Sequence, residues 1–71
     1  MTQGERIIDY LEHNSGITPF EAFERLGITK LATRIGELRR NGFDISGRMV
    51  KRLNRYGEVV NYMRYSLRSK K

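Results

Sequence analysis

A chain of 71 residues, 38% hydrophobic and 31% charged, is long enough for one domain with one small core and too apolar for a disordered segment. It has no cysteine, which excludes disulfides, thiolate metal sites and a thiol nucleophile, and no apolar run long enough to span a bilayer or serve as a signal peptide. Fourteen Lys and Arg against eight Asp and Glu give a net charge of +6, so an anionic partner is expected, and the expected location is the cytoplasm.

The first element is a helix. Ile7, Ile8 and Leu11 form an apolar stripe at helical spacing, with acids near its start and Asn14-Ser15-Gly16 at its end. The second helix has a sharper signal. Thr18-Pro19-Phe20-Glu21 reads as a capping box with proline at the first helical position. It runs through Ala22, Phe23 and Leu26 to Gly27, with Ile17 stapling onto it from outside the cap. Phe20, Phe23 and Phe43 are expected in the core. Thr29 follows closely and is expected to cap a third helix, which turns Leu31, Ile35 and Leu38 inward and ends at Asn41-Gly42. Gly36 in its middle costs roughly 1 kcal/mol relative to alanine. That suggests close approach of another element there, or nothing more than a neutral accident.

After Gly42 the apolar period changes from helical to alternating. Phe43 to Ser46 alternates, and Gly47 is expected to break the strand. Arg48 to Asn54 and Glu58 to Leu67 read as a hairpin closed by Arg55-Tyr56-Gly57. Pairing Asn54 with Glu58 sets Leu53 beside Val59 and Met49 opposite Met63, on one face with Tyr65 and Leu67. Arg48, Val50, Arg52, Val60, Tyr62 and Arg64 take the other face, and a slip of one residue would exchange the two. The domain is expected to span residues 1–67, with 68–71 a flexible basic tail.

Three helices with a tight turn between the second and third, then a hairpin, give an α+β fold with a two- to three-stranded antiparallel β-wing. The stretches ITPFEAFERLGIT (Ile17 to Thr29) and IGELRRNGFDI (Ile35 to Ile45) resemble the winged helix-turn-helix family of DNA-binding domains. They look most like the small helix-turn-helix proteins of bacteriophages and prophages. The resemblance covers nearly the whole chain. It implies sequence-specific binding of double-stranded DNA, in transcription regulation or as an accessory factor in excision or packaging.

Charge supports the same role. Residues 1–29 hold two basic and five acidic side chains, a net of −3, and residues 30–71 hold twelve basic and three acidic, a net of +9. With Leu31, Ile35 and Leu38 inward, the outward residues of the third helix are read as Lys30, Thr33, Arg34 and Glu37. Arg34 is the candidate for a bidentate contact to guanine, and Thr29 with the free amides beside it is a candidate phosphate site. At the hairpin, Lys51, Arg52, Asn54, Arg55 and Tyr56 cluster at or near the tip. In a wing of the family this resembles, such residues lie along a phosphate backbone or in the minor groove.

No catalytic constellation is present, so no enzyme, no cofactor and no small-molecule ligand is expected. His13 is the one histidine, and nothing clusters beside it with metal-ligand spacing. A single module buries little surface on DNA, so a homodimer or cooperative neighbours are expected. The acidic first helix is the candidate surface for a neighbour's cationic patch. Two other readings fit the same charge: a protein–protein module that binds an acidic host protein such as a polymerase component, and an RNA-binding winged domain.

Overall fold

A computed structural model describes residues 1–69. Helix α1 spans Gln3–His13. It begins earlier than its apolar stripe because Thr2 and Glu5 form a capping box. The Glu5 amide donates to the Thr2 hydroxyl at 3.1 Å, and the Thr2 amide donates to the Glu5 carboxylate at 2.7 Å. Helix α2 opens as α-helix over Pro19–Glu21 and continues as a π-helical stretch over Ala22–Leu26. Its Thr18–Glu21 capping box is as expected, with bonds of 3.2 and 3.0 Å. Gly27 closes it in the left-handed conformation, φ 70°. Arg6 on α1 donates to the Leu26 carbonyl at 3.3 Å, which satisfies one open acceptor at the end of α2.

Helix α3 spans Leu31–Arg40. Its N-cap residue is Lys30 rather than Thr29, and no side chain caps it. The threonine stands one residue too early to reach the first-turn amides. Leu31, Ile35 and Leu38 are buried, as the spacing requires, with Ile28 packed ahead of them. Gly36 is not a point of close approach. A Cβ built there meets only the Arg40 side chain, at 3.8 Å.

Strand β1 spans Asp44–Leu53 and β2 spans Val59–Ser69, antiparallel, with Leu53 opposite Val59 and Met49 opposite Met63. The register is the expected one. Gly57, at φ 77°, makes the turn that a side chain would strain. Gly47 does not break β1. It lies inside the strand opposite Tyr65, and a Cβ there would come within 3.1 Å of the Tyr65 ring and 2.9 Å of Met63 Cε. Its role is to leave room for the buried tyrosine. Ile17 forms an isolated β-bridge to the other edge of β2, exchanging backbone bonds of 2.8 and 2.9 Å with Tyr65. Strand β2 continues through Arg68 and Ser69, which were expected in the tail. Positions 70 and 71 of that tail lie outside the described residues.

The core is built mainly from isoleucine and leucine. Ile7, Ile8 and Leu11 of α1 meet Ile17, Ala22, Ile28, the α3 stripe, Ile45 and Tyr65. Two expected core residues are elsewhere. Phe20 and Phe23 are 68% and 61% exposed. Ala22 and Leu26 form the inward stripe of α2, and the phenylalanines lie off it. Ile17 and Ile28, on either side of the helix, are fully buried in their place. Phe43 does pack against the core.

Only the proximal end of the hairpin reaches this core. The distal part protrudes, and the molecule measures 41 × 21 × 21 Å. Ten-residue strands extend for roughly 34 Å, which accounts for the long axis.

Candidate nucleic-acid interface

Two exposed elements carry the expected site: α3 and the distal hairpin. On α3, the buried stripe of Leu31, Ile35 and Leu38 fixes which residues can face outward. Directly opposite it, three and then four residues apart, stand Thr33, Gly36 and Arg40, with Thr29 and Lys30 just ahead of the helix. Thr29, Lys30, Thr33 and Arg40 are exposed, as is Ala32 on the flank nearer the sheet.

Arg34 and Glu37 stand to one side, toward α1. Arg34 Nε donates to Gln3 Oε1 at 2.9 Å, and its Nη1 donates to both carboxylate oxygens of Glu37 at 3.0 and 2.8 Å. The guanidinium thus stitches α3 to the start of α1, with its charge offset by Glu37. Two of the residues read as outward are committed to each other.

Arg39, the neighbour of Arg40, is also structural. Its Nε donates to the Ile45 carbonyl at 2.9 Å, and its guanidinium lies 5.8 Å from the centre of the Tyr65 ring. Arg40 is different. Among the described residues no hydrogen bond or ion pair holds it, and its guanidinium lies along Gly36, which has no side chain to intervene. The wheel angle set by the buried stripe, rather than nearness to the helix start, is the signal that makes it a candidate.

At the hairpin, Lys51, Arg52, Arg55 and Tyr56 are exposed. Tyr56 at the tip is 78% exposed. Asn54 has another task. Its Oδ1 accepts from the Tyr56 and Glu58 amides at 2.9 and 3.0 Å, and its Nδ2 donates to the Glu58 carboxylate at 3.1 Å. It shapes the loop, as asparagine does in turns of this kind. The register places Arg52 on one face with Arg48, Tyr62 and Arg64, and Lys51 on the other. Arg64 donates to the Ser15 hydroxyl at 2.7 Å, leaving Arg48 and Arg52 as the exposed cations of that face. Arg48 was absent from the expected site.

No group of three or more His, Cys, Asp or Glu side chains converges on a possible metal position among the described residues. No described helix is long and apolar enough to cross a membrane.

A family model described as a winged helix-turn-helix domain matches residues 2–70. The chain belongs to this family, whose domains are typically DNA-binding and non-enzymatic. A search of curated proteins and a search of solved structures each return no match.

Proposed function

We propose that this domain binds double-stranded DNA with sequence preference, through the Thr33–Gly36–Arg40 stripe of α3 in the major groove and the arginine face of the hairpin on the phosphates. The observation that carries the reading is the exposed stripe itself. A helix with small residues at 32, 33 and 36 and one unpaired arginine at 40 can lie close to base edges. Arg40 supplies the guanidinium fork that pairs with guanine. Arg34 is held by Gln3 and Glu37 and acts as a brace. Lys30, Thr29 and the uncapped first-turn amides of α3 suit a phosphate. Arg48, Arg52 and Arg55 suit the backbone beside it, and Tyr56 a sugar or groove edge.

The biological setting is a bacteriophage or prophage regulator of transcription, or an accessory factor in excision or packaging. Occupancy of the site would itself be an action, by blocking or by shaping DNA. Cooperative neighbours or a dimer would supply the specificity that one small module lacks.

Selection of bound duplexes from a random pool tests the proposal. Enrichment of a short motif containing guanine is the expected result. A bound pool with no enriched motif overturns sequence preference, and absence of binding to any duplex overturns the function.

A further inference from the structure

The two faces of the distal hairpin differ in chemistry. One carries Arg48 and Arg52. The other carries Met49, Lys51, Leu53 and Val59, with Leu53 directly across from Val59. Met49, Leu53 and Val59 are 57%, 68% and 63% exposed. One exposed leucine is ordinary, but three large apolar side chains on one face of a protruding arm mark a contact surface. A phosphate backbone does not account for them, since it favours the arginine face. Nor does a two-fold pairing of these faces between two copies. A two-fold axis through the face would bring Lys51 toward its own mate, like charge against like. The fitting partner is apolar with an acidic rim.

The chain itself carries such a surface. A groove runs between the N-terminal half of α1 and the C-terminal end of α3. It is lined by Ile8, Leu38 and Phe43, by Arg34 and Glu37 of α3, which pair with each other, and by the exposed Glu5 and Asp9 of α1, which form an acidic rim. We propose that the apolar face of one hairpin docks into the α1–α3 groove of the next copy, with Lys51 meeting the acidic rim. The two surfaces are different, so the contact is heterologous, and it repeats without closing unless the rotation happens to complete a ring. This goes beyond the DNA reading and needs no duplex. On DNA it would favour occupation of adjacent sites.

Sedimentation velocity of the DNA-free chain at rising concentration tests it. The expected result is growth past two copies that weakens at high salt. Lys51→Asp and Asp9→Lys should each weaken association about tenfold, and the two together should recover most of the loss. Leu53→Ser should weaken it as well. All three positions are exposed, and cooperative melting at alkaline pH, where the Asp9–His13 pair contributes nothing, will show that the variants fold. Several results overturn the proposal: a monomer at every concentration, growth that stops at two copies, single variants that associate like the parent, or a double variant that recovers nothing. None of these bears on duplex binding, and loss of duplex binding would leave this contact in place.

Discussion

The Arg34 guanidinium donates through one nitrogen to both carboxylate oxygens of Glu37, one helical turn further along α3. The pair stands on the α1 side of the helix, with Gln3 completing the arginine's bonds. This separates two arginines that look equivalent in the sequence. Arg34→Ala is expected to leave duplex affinity nearly unchanged and to cost about 0.5 kcal/mol of stability, typical of a half-exposed pair. Arg40→Ala is expected to leave stability unchanged and to cost ~1–3 kcal/mol of discrimination between preferred and random duplex. Competition binding with the two variants checks both.

Gly36 makes a second test of the same face. An added Cβ meets nothing closer than 3.8 Å, and the position is an ordinary helix interior. Gly36→Ala should therefore raise stability by about 1 kcal/mol. If the helix backbone approaches DNA here, the same methyl should weaken duplex binding. A variant that melts higher and binds more weakly is the expected outcome. Tighter or equal binding would place the DNA elsewhere.

Gly47 behaves in the opposite way. An added Cβ would press on the buried Tyr65 ring at 3.0 and 3.1 Å and on Met63 Cε at 2.9 Å. The methionine end can move, but the tyrosine is 7% exposed and belongs to the core cluster, which leaves its ring little room to give. Gly47→Ala is expected to cost ~1–3 kcal/mol, the range for overpacking, in a chemical denaturation curve.

His13 gives α1 a weak pH dependence. Its Nδ1 lies 2.8 Å from the Asp9 carbonyl, and this hydrogen bond, followed by the nearby Asp9 charge, raises its pKa above the ordinary 6.5. A raised folded-state value means the protonated form is favoured by folding. The contribution is full below the unfolded value and is lost as pH rises through the folded one. The parent should thus exceed His13→Ala in stability at mildly acidic pH, and the gap should close on the alkaline side. Thermal melts across that window measure it.

The sequence holds most of this fold in plain view. The Thr18-Pro19-Phe20-Glu21 box and the spacing of Leu31, Ile35 and Leu38 specify helices locally, and the Arg55-Tyr56-Gly57 loop sets the hairpin register. What local signals do not reveal depends on space. Phe20 and Phe23 read as core because they are large and apolar, yet Ala22 and Leu26 are the residues of their helix that meet the core. Gly47 reads as a break because its partner, Tyr65, arrives from eighteen residues downstream. The candidate site is less legible for a related reason. Whether Arg34, Arg39 or Arg40 is available depends on Gln3, Glu37, Ile45 and Tyr65, which lie on other elements or a turn away.

The salt dependence of duplex binding measures the central claim most directly. If Lys30 and Arg40 of α3 and Arg48, Arg52 and Arg55 of the hairpin together neutralise about five phosphates, log K should fall against log salt with a slope of about −4.5. Arg52→Ala should make that slope shallower by about one, on preferred and random duplex alike. A flat line for the parent chain, or an Arg52→Ala slope equal to the parent's, would contradict the account.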